Sequence, residues 1–142
     1  ITPSAKNLHG TFGQSGVICP VMDARRGQLY NALFRWEGDM LVRLTPDRVI
    51  MIDELAKELA AYQEDGFLCG DGYALVKEAL SLDNICETPQ DKIYQNAVSV
   101  AWLALCEYQK GNWVSDAELR PTYLRAPQAE RERNERLKLE NA

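Results

Sequence analysis

VICPVMDARRGQLYNALFRW, residues 17–36, is the part of the sequence that indicates the fold most clearly. An apolar run, VICPVM, leads into the charged turn DARRG, and a second largely apolar run follows it. Two strand-like runs joined by a short, glycine-containing turn are typical of a β-hairpin. The turn carries one carboxylate, Asp23, and two adjacent guanidinium groups, Arg25 and Arg26, a composition that also suits an ordinary solvated turn.

The runs around this hairpin extend it into a small sheet. A third run follows the turn EGD, so the pattern predicts an antiparallel meander with strands at about 17–22, 28–36 and 40–44. After Pro46 and Asp47 a short extended run precedes the next change of period. GFLCG predicts a short buried strand, and positions 85–86 predict a brief further strand.

Helical periodicity begins at IDELAKELAAY, residues 52–62, where Ile52, Leu55 and Leu59 fall on one face. DGYALVKEAL predicts a second helix. DKIYQNAVSVAWLALCEYQKG, residues 91–111, predicts a third helix that is apolar on most sides, and we expect it to be buried against the sheet.

The element order predicts an α/β fold, in which a three-stranded antiparallel meander is extended by parallel strands and covered by helices. This order matches a ribonuclease H-like lobe. We expect residues 1–16 to form an irregular lead-in, residues 17–119 to form the lobe, and residues 120–142 to form an extended strap and a charged helical tail.

Composition narrows the class of protein. The chain has 142 residues and a net charge of -5, which argues against a broad basic surface for nucleic acid. No apolar run approaches the ~20 residues of a membrane helix, and no secretory signal is visible. The four cysteines are scattered among apolar residues without a CxxC pair, which indicates buried thiols and a cytoplasmic location.

Few residues are suited to catalysis. The only histidine is His9, so a Ser-His or Cys-His pair is not expected. Asp23 and Asp71 follow strands and are the best pair of metal-binding carboxylates, but no third acidic partner accompanies them, so we expect no metal site. Gly70-Asp71-Gly72 could cradle a phosphate or form a plain strand-to-helix turn, and it lacks the P-loop lysine.

Three strings, ICPVMDARRGQLYNALF at 18–34, LCGDGY at 68–73 and RPTYLRAPQAERE at 120–132, resemble the TsaB (YeaZ) family. This family contains glycoprotease-like proteins of the ASKHA superfamily, which share the fold of actin and sugar kinases. Spacing and element order agree over about residues 17–137. The family's opening strand, ending in Asp-Thr-Ser, and its glycine-rich stretch do not occur, so the chain resembles a carboxy-terminal lobe without the amino-terminal one.

The resemblance implies a non-catalytic scaffold without a cofactor. Such proteins support formation of N6-threonylcarbamoyladenosine on tRNAs that read ANN codons, together with a TsaD-type catalytic subunit and a TsaE-type ATPase. Contact with tRNA would be indirect, any homodimer would form mainly through the absent lobe, and no membrane is involved. The alternatives are a glycoprotease-type peptidase, an ATP-binding ASKHA enzyme, or a general interaction domain whose tail docks elsewhere.

The resemblance also assigns candidate residues. Asp23 and Gly27 would lie in the hairpin that holds phosphate in active ASKHA proteins, and Gly70, Asp71 and Gly72 in the nucleotide-side turn, both as remnants of a site. Arginines and glutamates alternate in the tail, a mixture that suits protein contact better than nucleic acid. The candidate partner-binding residues are Arg25, Arg26, Arg120, Tyr123, Arg125, Arg131 and Arg133.

Overall fold

The computed structural model describes residues 1–8, 16–80, 83–124, 133, 136 and 137. A first helix and five consecutive strands are followed by helices alternating with single strands, and two helices come last. The elements are α1 (Thr2–Asn7), β1 (Val17–Asp23), β2 (Gln28–Asn31), β3 (Phe34–Glu37), β4 (Met40–Arg43), β5 (Arg48–Met51), α2 (Ile52–Tyr62), β6 (Gly66–Cys69), α3 (Tyr73–Ala79), β7 (Ile85–Cys86), α4 (Gln90–Ile93) and α5 (Ala97–Gln109).

Strand β1 is the centre of the sheet. On one side it pairs antiparallel with β2 and β3, and on the other it pairs parallel with β6, which pairs parallel with β7. Strands β4 and β5 lie outside β3 and β2 respectively. The predicted meander, its parallel extension and the α/β fold class are therefore confirmed.

The predicted second strand is divided in two. Strands β2 and β3 continue in one register against β1, but the ladder is interrupted at Ala32 and Leu33. The outer strand is interrupted at the same level, where the Thr45 Oγ1 accepts a hydrogen bond from the Leu33 N–H at 2.8 Å. A side-chain oxygen thus replaces a ladder carbonyl as the acceptor for the Leu33 N–H at the break.

Side chains of β1 alternate between two cores, as the two-residue period of a strand requires. Val17, Cys19 and Val21 point to the core that α2 and α3 cover, together with Leu55 and Leu59 of α2. Helix α2 has the predicted bounds, and its periodic apolar face is buried as expected.

The second core lies on the opposite face of the sheet, beneath α1. Ala5 and Leu8 pack there with Ile18, Phe34 and Phe67. The expectation of an irregular lead-in over residues 1–16 is therefore wrong for Thr2–Asn7, which form a helix that the core orders. His9 and the rest of that lead-in lie outside the described residues.

The long helix predicted over residues 91–111 is wrong in two respects. It is divided into α4 and α5, because Asn96 adopts extended backbone and its Oδ1 accepts a hydrogen bond from the Ser99 N–H at 2.8 Å, as an N-cap does. It is also not buried against the sheet: α5 lies on α1, and Ser99 is its only buried residue. Gly111, with φ of 80°, follows its end as predicted.

Candidate functional site

The turn between β1 and β2 is left-handed at three consecutive residues. Arg25, Arg26 and Gly27 have φ angles of 66°, 57° and 71°. A residue other than glycine adopts this region at a cost of about 1–2 kcal/mol. The Asp23 Oδ1 accepts a hydrogen bond from the Arg25 N–H at 2.6 Å, and the Ile52 N–H at the start of α2 donates to the Gly27 oxygen at 3.2 Å. The turn is therefore fixed to α2.

This geometry exposes the two arginines. The Arg25 side chain is 88% exposed, and its Nη1 lies 3.5 Å from the Asp23 Oδ2, a weak surface ion pair. Arg26 is exposed and makes no hydrogen bond or ion pair with the described part of the chain. Asp23 thus orders the turn, while both guanidinium groups remain accessible to another molecule.

The Gly70 and Gly72 amides of the turn between β6 and α3 point inward. The Gly70 N–H donates to the Ile93 oxygen at 2.6 Å, the Gly72 N–H to the Val21 oxygen at 3.1 Å, and the Tyr73 N–H to the Gly70 oxygen at 3.1 Å. In a phosphate cradle such amides would face the ligand. Here the Gly72 amide joins the turn to β1, the Gly70 amide joins it to the end of α4, and the Tyr73 amide closes the turn itself.

Gly70 is required by the close approach of this turn to β1. Its φ is +103°, and a Cβ atom there would lie 2.1 Å from the Val21 carbonyl oxygen. A cavity of about 290 Å³ lies beside the turn. Its lining consists of Ser4, Met22, Gly70, Asp71, Tyr94 and Gln95, so the structure brings Gly70 and Asp71 to the cavity but not Asp23 or Gly27.

Three of the predicted partner-binding residues of the strap and tail lie in the described part of the chain. The Arg120 Nη1 donates to the Ala117 oxygen at 2.7 Å, so this arginine is held by its own segment. Tyr123 is 81% exposed and borders a second cavity, of about 260 Å³, beside Met22 and Tyr30. Arg133 is exposed. Arg125 and Arg131 lie outside the described residues.

A polar network that the sequence did not predict is centred on Asn31, the last residue of β2. Asn31 is fully buried; its Nδ2 donates to the Pro20 oxygen at 3.0 Å and to the Ala32 oxygen at 3.2 Å. Its Oδ1 accepts from the Arg48 Nη2 at 3.1 Å, and the same nitrogen pairs with Glu58 at 2.5 Å. An asparagine in the middle of the otherwise largely apolar run LYNALF was the available signal.

The thiols in the core are not poised for reaction. Burial raises the pKa of Cys19 to about 12 and raises the pKa of Cys69 as well, so both remain protonated at neutral pH. Within the described part of the chain, no group of three or more histidine, cysteine, aspartate or glutamate side chains could hold a metal ion. No described helix is long and apolar enough to cross a bilayer.

Part of this chain is similar to known proteins. No family model matches the chain. The tRNA threonylcarbamoyladenosine biosynthesis protein TsaB of Bacillus subtilis (strain 168) is 29% identical over 65 residues, which are 46% of this chain and 28% of that protein. The resemblance to the TsaB/YeaZ family is confirmed.

Solved structures agree with the fold of this TsaB/YeaZ-like chain. YeaZ from Pseudomonas aeruginosa superimposes with a TM-score of 0.67 at 19% identity, over 87% of this chain and 56% of that one. A protein from the same organism with similarity to peptidase YeaZ gives a TM-score of 0.65 at 17% identity, with the same coverage of 87% and 56%. The chain therefore resembles part of these proteins and spans about half of their length.

Proposed function

We propose that this chain is a non-catalytic platform that supports formation of N6-threonylcarbamoyladenosine on tRNA by binding other proteins. The observation that carries the proposal is that the Gly70, Gly72 and Tyr73 amides already donate hydrogen bonds within the lobe. Amides that already hold the lobe together are not available to a phosphate group, so a supporting role fits this turn better than nucleotide chemistry.

The partners we propose are a TsaD-type catalytic subunit and a TsaE-type ATPase, in the cytoplasm, with tRNA reached only through the complex. The name of the Bacillus relative supports the pathway, since that protein is a tRNA threonylcarbamoyladenosine biosynthesis protein. The net charge of -5 supports indirect contact with tRNA. The exposed Arg25 and Arg26, on a turn fixed in an unfavourable conformation, are suited to contact with a protein.

The test is binding of this chain to purified TsaD-type and TsaE-type proteins, followed by modification of unmodified tRNA with and without the chain. We expect the chain to bind at least one of them, and we expect Arg26→Glu to weaken binding at least tenfold. Lys57→Glu is the matched control, because it reverses a positive charge at an exposed position on α2.

Two results would overturn the proposal. One is the absence of binding to either protein at concentrations where a TsaB protein binds. The other is nucleotide binding by the chain alone, seen as a gain in thermal stability with ATP and Mg²⁺ that Gly72→Val removes, since that result would favour an ATP-binding ASKHA enzyme.

A further inference from the structure

The hairpin turn between β1 and β2 contains a residue type that its backbone disfavours. The Gln28 N–H donates to the Arg25 oxygen at 3.2 Å, which closes a four-residue turn with Arg26 and Gly27 at its centre. Both central residues have positive φ, of 57° and 71°. Hairpin turns of this class favour Asn-Gly, because asparagine and glycine enter the left-handed region most easily. Gly27 fits that preference and Arg26 does not.

A second arginine is left-handed beside the first. Arg25 has a φ of 66°, so two consecutive arginines are held in a region that residues with a Cβ atom rarely adopt. Among the described residues, one further non-glycine residue has positive φ. It is Gln63, at the C-cap of α2, where a left-handed residue is ordinary. The arginine turn has no such local reason.

The surrounding structure holds the turn in this conformation. The Ala24 N–H donates to the Gln28 oxygen at 3.0 Å and the Ile52 N–H donates to the Gly27 oxygen at 3.2 Å, so β2 and α2 both fix it. Asparagine in place of an arginine would keep these backbone contacts and relieve the turn. Because strained backbone is retained where a side chain is needed, the conformation indicates that the two guanidinium groups bind something.

The charges around the turn indicate what the arginines bind. Asp23 lies beside Arg25, and Asp53 and Glu54 lie in the first turn of α2, the helix that is bonded to Gly27. These three carboxylates offset the two guanidinium groups, so the turn has no excess positive charge to attract a polyanion such as RNA. A guanidinium group selects at short range instead, by donating two parallel hydrogen bonds to one carboxylate.

We propose that Arg25 and Arg26 bind a pair of carboxylates on a segment of a partner protein. Arg26 makes no hydrogen bond or ion pair with the described part of the chain, so its guanidinium group is free to form a bidentate pair. Arg25 exchanges its 3.5 Å ion pair with Asp23 for a closer one, while the Asp23 Oδ1 keeps the Arg25 N–H and therefore the turn. This inference rests on the proposed function for the existence of a protein partner, and it names the chemistry that the partner presents.

Arg26→Asn tests the strain and the binding together. It gives the turn the favoured Asn-Gly pair, so we expect the Tm to rise by about 2–5 °C, because an unfavourable φ is relieved in the native state. We expect the same change to weaken binding of the chain to its TsaD-type or TsaE-type partner by about tenfold or more. Lys57→Gln, which removes one positive charge from an exposed position on α2, should leave both the Tm and the binding unchanged.

A peptide titration identifies the bound group without any partner protein. The probe is the peptide Gly-Glu-Glu-Gly with blocked ends, and NMR follows the backbone amide signals of the whole chain. We expect saturable shifts at Arg25, Arg26 and Gly27, with an affinity that falls by about fivefold or more in Arg26→Asn. Arg26→Lys should be intermediate, because lysine keeps the charge and lacks the planar fork. Gly-Gln-Gln-Gly and a uridine tetranucleotide are the controls.

Three results overturn the proposal. One is an Arg26→Asn protein that is no more stable than the wild type, since arginine would then suit the turn as well as asparagine does. Another is an Arg26→Asn protein that binds the glutamate peptide as the wild type does. The third is a tetranucleotide that binds the turn as tightly as the glutamate peptide. Because the titration uses no partner protein, its failure leaves the platform role standing, and failure of the platform role leaves the titration result valid.

Discussion

Strand β1 and helix α5 are both rich in apolar residues, but they differ in where those residues lie. Val17, Cys19 and Val21 of β1 are each at most 1% exposed and have covering elements on both faces of the sheet. Val98 and Leu105 of α5 are more than half exposed. Apolar composition therefore indicates which side chains a segment can bury. The position of the segment in the fold determines whether those side chains are buried.

Helices α2 and α5 also differ in how far their apolar side chains are buried. In α2 the apolar residues recur on one face, and Leu55 and Leu59 are buried against β1. In α5 they occur on most sides, so periodicity cannot indicate an inner face. The inner face of α5 is set instead by the polar contacts of Asn7, Asn96 and Ser99.

The largest expected difference between the two regions is in the cost of truncating a leucine. Leu55→Ala should lower the free energy of unfolding by about 3–5 kcal/mol, because it leaves a cavity in a packed core. Leu105→Ala should change it by less than about 1 kcal/mol, since the side chain is half exposed. Urea unfolding at a concentration where the chain is monomeric measures both. Equal losses would mean that α5 is covered in solution.

Much of the fold could be predicted because the apolar residues that recur along the sequence are the ones that the fold buries. The β1–β2 turn has the composition of a hairpin, and α2 has clear periodicity, so both were placed within a residue or two. The interruption at Ala32 and Leu33 could not be predicted, because it depends on a hydrogen bond that the Thr45 Oγ1 accepts from the Leu33 N–H and on one that the Asn31 Nδ2 donates to the Ala32 oxygen.

The candidate site was predicted only in part, for a related reason. Sequence identified residue types at two turns, but it could not indicate which way the amides of Gly70 and Gly72 point. That direction depends on contact with Val21 and Ile93, which are distant in the chain. The exposed side of α5 was missed because an apolar helix is ordinarily buried, and only the folded lobe reveals that α1 contacts a polar side.

Glycine substitutions test the backbone that approaches β1 and the backbone that follows α5. Gly70→Ala should destabilise the protein by about 2–4 kcal/mol, because the new methyl group would overlap the Val21 carbonyl oxygen at a φ of +103°. Gly111→Ala, after α5, should cost about 1 kcal/mol, because its φ is +80° but nothing lies within 4 Å. Thermal unfolding of both variants gives the comparison, and a Gly70→Ala protein as stable as Gly111→Ala would contradict the close approach.

Asparagine substitutions test a buried polar contact at β2 and an exposed one after α5. Asn31→Ala should cost about 2 kcal/mol, because it removes buried hydrogen bonds and leaves the Pro20 carbonyl and the Arg48 guanidinium without this partner. Asn112→Ala removes an exposed hydrogen bond of 2.8 Å to Glu107, beyond the end of α5, and should cost less than about 0.5 kcal/mol. Urea unfolding measures both variants. If the two lose a similar amount of unfolding free energy, Asn31 does not order the break in the strand.

A further expected difference is a dependence of stability on pH that comes from the Cys19 thiol of β1. Burial raises the pKa of Cys19 from 9.0 to about 12, so above about pH 9 the unfolded chain loses a proton that the native chain keeps. The stabilisation is complete below that pH and is lost as pH rises toward 12, by up to about 1.4 kcal/mol per pH unit for this thiol. Cys19→Ala should therefore make the decline in unfolding free energy between about pH 9 and pH 11 shallower. Cys106→Ala, on α5, retains Cys19 and should preserve the decline, so an equal slope in the two variants would contradict burial of the Cys19 thiol.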